Sequence, residues 1–345
     1  MRTTLDPRLV DPSGHEPGLV VDVRDERRAL LFDLGELDRL APRLLLRVSH
    51  AFVSHTHMDH FAGFDHLLAL GLGRVGRLAL WGGPGFVDQV EHKLRAYTWN
   101  VVHRYEVPMV IEAHAFGADG TRAHAVFDSR RRFERDAAPP EGGAAEASDL
   151  LHDEPLFAVR AALVDHEMPV LAFAIEEKAQ VRVAVDRIAA MGLTTGAWLR
   201  ALKRAVLDGA PDDTPIDLAW CDRAGAHVAR RTVGELRPLV LDTVAGRRIG
   251  YVTDLRYVEA NVERLERLLA DVDLLYIESV FADADRAHAL RKNHLTARQA
   301  GEIARRVRAR RVVPFHFSPR YRGREAALRD ELRAAWAPDD AAPAE

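Results

Sequence analysis

The sequence predicts an α/β protein, since short apolar runs of strand length alternate with stretches of helical periodicity along most of the chain. The run at 78–81 is one such strand, and the helix predicted at 86–95 follows it after a glycine-rich turn. With 345 residues, of which 48% are hydrophobic, the chain can bury a substantial core. We expect one domain over 1–336 and a disordered tail at 337–345, where alanine, proline and aspartate dominate.

The charge and cysteine content bear on the class of protein. A formal net charge of −4 gives no general attraction to nucleic acid, although it leaves room for a local basic patch. The single cysteine, Cys221, allows no internal disulfide and no thiolate zinc cluster, and we interpret it as a small buried side chain. No apolar run reaches the ~18 residues of a membrane span, so we expect a cytoplasmic protein without membrane contact.

A histidine-rich cluster at 54–60 is the strongest functional signal in the chain. A strand is predicted at 51–53 before it, and a helix is predicted to start just after it, from Phe61 onward. The cluster contains three histidines and one aspartate on this strand-to-helix turn. Imidazole nitrogens and a carboxylate are ligands that borderline-soft divalent ions prefer. We therefore interpret the cluster as a metal site.

The order His55, His57, Asp59 and His60 resembles the HxHxDH signature of the metallo-β-lactamase superfamily. In that superfamily the first two histidines hold one metal ion, and the aspartate and last histidine hold a second. The resemblance implies that His55 and His57 serve one site and that Asp59 and His60 serve the other. It also implies an α/β fold of four layers, an αβ/βα sandwich of two mixed sheets with the metals at one edge.

Two strands predicted at 18–23 and 28–33 lie near the start of the chain, and the second ends at Asp33. The segment at 32–36 resembles an early segment of the ribonuclease Z-like branch of the superfamily, in which the aspartate braces the metal loop. The residues alone allow a turn-capping aspartate equally well. Both interpretations of Asp33 stay open at this point.

Residues 129–150 differ in character from the sequence before them. An arginine run at 130–132 is followed by alanine, proline and glycine, so we expect a mobile surface loop. We interpret the arginines as a solvated face, and contact with a polyanion is the alternative.

Three later polar residues stand at the ends of predicted strands. His166 lies in a tight link between two strands, Asp254 ends the strand at 248–254, and His316 follows the apolar run at 311–315. Taken alone, none of these residues would identify a metal site. Their resemblance to later motifs of the superfamily implies that His166 completes the first metal site, His316 completes the second, and Asp254 bridges both.

The region at 189–231 has helical periodicity, and we interpret it as an ordinary amphipathic helix. The alternative is a protruding helical arm that holds substrate, as the ribonuclease Z resemblance implies. The strands predicted at 238–242 and 248–254 are expected to form a hairpin around Ala245. A further helix is expected to start after Thr296, whose hydroxyl can cap it.

Glu278 and His294 resemble the glutamate and the histidine of two further ribonuclease Z elements. The resemblance implies that His294 gives a proton to the leaving oxygen. A carboxylate beside an imidazole raises the pKa of the imidazole and fixes its tautomer, which suits a general acid. Asp59 could in addition orient the attacking water. Ser318 and Arg320 are candidates to hold a phosphate, since a guanidinium binds phosphate oxygens in a bidentate manner.

Together these residues predict a dinuclear metal-dependent phosphodiesterase, and the resemblance implies a ribonuclease Z-like endonuclease acting on the 3′ side of precursor tRNA. Two zinc ions are the expected cofactors, and the same ligands accept manganese or iron. RNA is the expected phosphodiester substrate, and the resemblance implies a homodimer. Three alternatives stay open: a phosphodiesterase for small cyclic or linear nucleotides, a hydrolase of esters, thioesters or lactones, and a metal-stabilised binding scaffold without turnover.

Overall fold

The structure is a computed structural model, and it describes residues 4–24, 26–117, 120–136, 149–178, 180–222 and 225–337. Contacts divide the chain into two units, one formed by 1–177 and 247–345 and the other by 178–246. Residues 137–148 of the predicted mobile loop and 338–345 of the predicted tail lie outside the described residues.

The amino-terminal part of the first unit is a sheet with helices on one face. Its strands are β1 (Leu5–Leu9), β2 (Leu19–Val23), β3 (Arg28–Phe32), β4 (Val48–Phe52), β5 (Arg77–Gly82), β6 (Val110–Phe116), β7 (Arg122–Asp128) and β8 (Arg135–Asp136). Its helices are α1 (Pro42–Leu45), α2 (Met58–Phe61), α3 (Phe64–Gly71) and α4 (Phe86–Arg95). The strands pair in chain order, and β3 to β6 are parallel while the others are antiparallel, so the sheet is mixed.

The helix after the histidine cluster begins earlier than the sequence predicts. We expected it after the cluster, but α2 starts at Met58 and therefore contains Asp59 and His60. His57 has an extended backbone, and its carbonyl accepts the amide hydrogen of His60 at 3.0 Å, which closes the first turn. Asp59 lies in that turn, where the free amide groups of a helix start favour a carboxylate.

Three antiparallel strands follow in the first unit, and the chain then forms the second unit. The three strands are β9 (Leu150–Asp153), β10 (Phe157–Asp165) and β11 (Pro169–Glu177). The second unit contains β12 (Gln180–Val183), α5 (Val185–Ala190), α6 (Ala197–Leu207), β13 (Pro215–Asp222), β14 (Gly225–Thr232), α7 (Val233–Val240) and β15 (Leu241–Val244). The single domain predicted over 1–336 stays a prediction.

One prediction for the second unit is wrong in part, and a second prediction, which joins its end to the following strand, is wrong. The helical periodicity predicted over 189–231 holds for α6, but β13 and β14 form an antiparallel hairpin, in which Ile216 and Leu218 are buried on alternate positions. The hairpin predicted from 238–242 and 248–254 does not form. A capping box between Thr232 and Glu235 starts helix α7 instead, and β15 pairs with β12.

The carboxy-terminal part of the first unit completes a second mixed sheet. Its strands are β16 (Arg248–Val252), β17 (Leu274–Glu278) and β18 (Val312–Phe315), which are parallel to one another. Its helices are α8 (Glu259–Leu269), α9 (Arg286–Lys292), α10 (Ala297–Arg306) and α11 (Glu325–Trp336). Among the described residues the strand order is β18-β17-β16-β11-β10-β9. The expectation that Thr296 caps a helix is confirmed, since its hydroxyl accepts the amide hydrogen of Gln299.

Three apolar clusters separate the layers of the first unit. Phe64 of α3 and Val90 of α4 pack against the outer face of the first sheet. Leu265 of α8 and Ile303 of α10 pack against the outer face of the second sheet. Between the sheets, aromatic side chains pack among leucine, valine and isoleucine side chains, and they include Phe32, Phe52, Phe157, Phe173 and Tyr251. Each fully buried side chain of this kind contributes about 1.5–3 kcal/mol. The predicted α/β fold with two mixed sheets is confirmed.

No helix of the described residues is both long enough and apolar enough to cross a membrane.

Two glycines allow the loop after β3 to lie directly against α2. A Cβ on Gly35 would lie 2.3 Å from the carbonyl oxygen of Asp59, and one on Gly63 would lie 2.1 Å from the carbonyl oxygen of Gly35. The amide of Leu34 donates to the carbonyl of His60, and the amide of Gly63 donates to the carbonyl of Leu34, each at 2.7 Å. This backbone contact positions the two α2 residues of the histidine cluster.

The substitution Gly35→Ala should lower the free energy of unfolding by about 1–3 kcal/mol, because the added methyl group overlaps a backbone oxygen that cannot move freely. Urea unfolding of the metal-free protein, in the presence of a chelator, measures this change.

Gly76→Ala is the matched control, since a Cβ there meets only the carbonyl oxygen of Pro108, at 3.9 Å. Equal free energies of unfolding for the two variants would contradict the role of Gly35.

Candidate metal centre

The polar side chains singled out in the sequence meet at one edge of the two sheets. His55 and His57 follow β4, and Asp254 and His316 follow β16 and β18. The carboxyl ends of parallel strands meet at the same edge, which is where open α/β sheets bind ligands. His166 reaches this edge from the turn between β10 and β11.

One group of side chains consists of three histidines and one aspartate, namely His55, His57, His166 and Asp254. One nitrogen or oxygen from each of them lies within 4.8 Å of the others. Oδ2 of Asp254 is 3.6 Å from Nε2 of His55 and 3.7 Å from Nε2 of His166. Four converging ligands of these types match the donor set that zinc and related ions take in proteins.

A second group shares Asp254 with the first. Asp59, His60 and His316 also place one ligand atom each within 4.8 Å of one another. The other oxygen of Asp254, Oδ1, is 3.5 Å from Nε2 of His60 and 3.0 Å from Nδ1 of His316. Asp254 therefore presents one oxygen to each group, as a bridging carboxylate would.

The protonation of the histidines fits a metal centre. Nδ1 of His60 lies 2.8 Å from Oδ2 of Asp33, and Nδ1 of His166 lies 2.8 Å from the carbonyl oxygen of Asn293. Both partners are acceptors, so Nδ1 donates in each case, and Nε2 is the nitrogen whose lone pair a neutral ring can offer to a metal ion. Among the described residues, Nε2 of His55 and Nε2 of His60 are buried without a hydrogen-bond partner. Buried nitrogens of this kind are expected to bind a metal ion or water.

Asp33 accepts side-chain and backbone hydrogen bonds that fix the histidine cluster at 54–60 on its buried side. Its carboxylate accepts the amide of Ser54 at 2.7 Å, the hydroxyl of Ser54 at 3.0 Å and the ring N–H of His60. The hydroxyl of Tyr251, on the second sheet, donates to it at 3.0 Å. Ser54 in turn lies 3.0 Å from Nδ1 of His55. Of the two interpretations left open by the sequence, bracing of the histidine loop is the one the structure supports.

The electrostatics of the centre favour bound cations. Burial lowers the pKa of His55 to about 3, so the ring is neutral at physiological pH and can act as a ligand. Burial also lowers the pKa of His60 and His316, but the charges of Asp254 and of further carboxylates reverse this and raise the pKa of both rings well above the usual value. Carboxylates that draw protons onto buried imidazoles would equally attract metal ions.

Glu278 and His294 form a buried pair beside the second group. Oε2 of Glu278 lies 2.8 Å from Nδ1 of His294, and its other oxygen accepts the amides of Leu255 and Leu295. Burial lowers the pKa of His294, but the charge of Glu278 and its hydrogen bond outweigh burial, so the pKa is raised. Burial raises the pKa of Glu278, and the charge of His294 reverses that shift. The pair can therefore hold a proton at His294 near neutral pH.

The two candidate phosphate ligands have different positions. Ser318 lines a cavity of about 340 Å³ together with Asp59, His294 and His316. Arg320 lies over the ring of Phe281 instead, with its guanidinium 5.4 Å from the ring centre and 3.8 Å from the carboxylate of Asp285.

Sequence reasoning missed three supporting residues: Ser54 as the link from His55 to Asp33, Tyr251, and the carbonyl of Asn293. Tyr251 carried no sequence signal, because its contact with Asp33 spans 218 positions. Asn293 directly precedes His294 and has a left-handed backbone with φ 61°, which asparagine tolerates better than most residues.

Comparison with known sequences places the chain among ribonucleases. A sequence model for the beta-lactamase superfamily domain matches residues 224–317. The ribonuclease Z of Deinococcus radiodurans is 34% identical over 312 residues, which cover 89% of this chain and 87% of the relative. The ribonuclease Z of Porphyromonas gingivalis strain W83 is 28% identical over 335 residues, covering 95% of this chain and 91% of the relative.

Solved structures show the same fold. Human tRNase Z, short form, superposes with a TM-score of 0.54 at 21% identity and covers 91% of this chain and 90% of its own. The metallo-β-lactamase fold protein YhfI of Bacillus subtilis superposes with a TM-score of 0.53 at 16% identity, covering 96% of this chain and 93% of its own. With the extended identity to the Deinococcus relative, the chain belongs to the ribonuclease Z family of the metallo-β-lactamase superfamily, a family of metal-dependent hydrolases.

Proposed function

We propose that this chain is a dinuclear zinc endoribonuclease that cleaves precursor tRNA on the 3′ side of the mature sequence. The observation that carries the proposal is the Glu278–His294 pair, in which Nδ1 of His294 lies 4.0 Å from Asp254. A metal site alone would serve many hydrolases, whereas a supported proton donor serves a poor leaving group such as a ribose hydroxyl. The 34% identity to a ribonuclease Z supports RNA as the substrate.

Seven side chains would hold two metal ions. His55, His57 and His166 belong to the first, Asp59, His60 and His316 belong to the second, and Asp254 belongs to both. Zinc suits these imidazole and carboxylate donors, and manganese and iron suit them as well. When bound, two such ions lower the pKa of a water molecule to near neutrality and offset the charge that develops on the phosphoryl oxygens.

Asp59 is placed to orient the attacking water. Its side chain is 47% exposed and lines the cavity beside the centre. Burial raises the pKa of Asp59, but the neighbouring rings of His316 and His60, whose Nε2 atoms each lie 3.5 Å from Oδ2 of Asp59, outweigh burial and lower it. The carboxylate is therefore ionised at neutral pH and accepts a hydrogen bond from water.

His294 gives its proton to the leaving oxygen. Because Nδ1 is held by Glu278, Nε2 is the nitrogen available to substrate. As a water oxygen bonds to phosphorus and loses a proton to solvent, the bond from phosphorus to the 3′ oxygen of the mature tRNA breaks. The proton from Nε2 completes a 3′ hydroxyl on the tRNA, and the 3′ extension leaves with a 5′ phosphate. Glu278 offsets the positive charge of the ring before transfer and fixes its orientation during transfer.

We also propose a homodimer in the cytoplasm. The resemblance to the ribonuclease Z family supports the dimer, and a chain whose only cysteine is Cys221 suits a reducing compartment. Light scattering coupled to size-exclusion chromatography measures the oligomeric state.

The substitution His294→Ala should lower kcat for precursor tRNA by about 10²–10⁴-fold, since general acid catalysis contributes that much for a poor leaving group. Glu278→Gln should lower it in the same direction, because the ring loses its charged partner. Single-turnover cleavage of a precursor tRNA with a 3′ extension measures the loss.

The control is bis(p-nitrophenyl) phosphate, whose leaving group departs without a proton. His294→Ala should reduce its hydrolysis far less, and equal losses on the two substrates would contradict the role of His294. Cleavage of the small diester with no cleavage of RNA by the unmodified enzyme would favour the small-nucleotide alternative instead.

The purified protein should retain about two transition-metal ions per chain, and His57→Ala or His60→Ala should each reduce this number by about one. Elemental analysis after dialysis against metal-free buffer measures the content, and prior chelation should abolish RNA cleavage.

His66→Ala is the matched control, because His66 lies on α3, is exposed and contacts Asp38 at 2.6 Å outside the ligand groups. A variant of His57 or His60 that keeps the full metal content would contradict the ligand assignment.

A further inference from the structure

The cavity beside the metal centre has a basic wall formed by α9. Besides Asp59, His294 and His316, its lining includes Lys292, the last residue of α9, and His288 one turn earlier. Glu16 lines the same cavity and supplies a carboxylate. The cavity therefore connects the proposed proton donor to a lysine that the mechanism above does not use.

The backbone that carries Lys292 is fixed to the metal centre. The carbonyl of Asn293, the next residue, accepts the ring N–H of His166 at 2.8 Å. The side chain of His294 and the amide of Leu295 are both hydrogen-bonded to Glu278. Lys292 thus precedes three residues whose positions are set by groups of the centre, and the origin of its side chain is fixed relative to the reacting atoms.

Lys292 is the positively charged residue of this wall that is available to bind an anion. Within the part of the chain that the structure describes, no carboxylate lies within ion-pairing distance of its ammonium group. Arg320 is occupied by the ring of Phe281, by Asp285 and by Nε2 of His288, which lies 3.3 Å from its guanidinium. Further positive charges lie beside the wall, since the guanidinium groups of Arg291 and Arg320 lie 3.0 Å and 3.3 Å from the ring nitrogens of His288. A positive wall beside a site for phosphodiesters attracts a further phosphate.

We propose that Lys292 binds the phosphate on the 5′ side of the nucleotide that carries the leaving oxygen. The inference rests on the proposed function, in which His294 protonates that oxygen. The nucleotide that departs must then lie on the His294 side of the centre, which is this cavity. Its own 5′ phosphate is the next anion along the strand, and the α9 wall is the basic surface that it reaches. Lys292 is accordingly a positioning residue for RNA.

The first experiment compares three variants in steady-state cleavage of precursor tRNA. Lys292→Ala should raise KM by about five- to tenfold with kcat changed less than about twofold, and Lys292→Arg should restore KM because it keeps the charge. The dependence of kcat/KM on salt should become shallower by about 0.7–0.9 in the logarithmic slope for Lys292→Ala, as expected for one lost phosphate contact.

Arg286→Ala is the matched control, since it removes the same charge from the other end of α9, where Arg286 contacts Asp283 and does not contribute to the cavity lining. It should change KM by less than about twofold. Equal effects of Arg286→Ala and Lys292→Ala would overturn the proposal, because they would reflect only the general charge of the helix.

The second experiment identifies the phosphate. A precursor RNA with a single neutral methylphosphonate in place of the phosphate one nucleotide 5′ of the scissile bond should lose about five- to tenfold in kcat/KM with the unmodified enzyme. With Lys292→Ala the same replacement should cost less than about twofold, since the contact is already absent.

Additive losses in the lysine variant and the methylphosphonate RNA would overturn the assignment while leaving the nuclease intact. Failure of the unmodified enzyme to cleave any precursor tRNA would instead overturn the proposed function.

Discussion

The candidate metal centre depends on one buried carboxylate, Asp33, which is fully enclosed. It accepts bonds from Ser54, in the turn after β4, from His60 in α2, and from Tyr251 in β16 of the second sheet. Burial raises the pKa of Tyr251 well above its usual value, so the phenol stays protonated and donates. Removing the carboxylate would leave several buried donors unpaired, at about 1–3 kcal/mol for each. Asp33 therefore couples the fold to the orientation of the ligands.

Two further buried carboxylates, those of Glu278 and Asp254, lie at the other side of the centre. Glu278 is fully buried and accepts two backbone amides as well as the ring N–H of His294. Asp254, also buried, has one oxygen directed to each ligand group. Each carboxylate is held on a rigid strand end, whereas His57 and Asp59 face solvent. The centre is thus fixed by buried carboxylates on the side of the protein core and is open on the side that faces solvent. This arrangement suits hydrolysis of a large substrate by water.

Local patterns predicted most of the layered fold and the set of polar residues that converge. The candidate ligands at strand ends could be predicted because a polar residue directly after an apolar run is visible in a short stretch of sequence. The second unit was predicted less well, since short apolar runs do not distinguish strand from helix. The segment at 238–242 illustrates this: a capping box between Thr232 and Glu235 fixes a helix start, and the helix runs through Pro238 to Val240. The contact of Arg320 with Phe281 also had no local signal in the sequence, and the role of Arg320 in phosphate binding stays a prediction.

By itself, the sequence determined the chemical identity and the order of the candidate ligands, because their spacing around strands and turns is a property of the chain. Only the tertiary structure decided which atoms face one another. The contact of His166 with Asn293 spans 127 positions of the chain, and that of Asp33 with Tyr251 spans 218. Neither contact can therefore be predicted from the periodicity of a short stretch of sequence. The structure likewise decided that Lys292, and not Arg320, lines the cavity. Direction and burial of a side chain follow from packing between distant elements, and packing is set only once the two sheets are stacked.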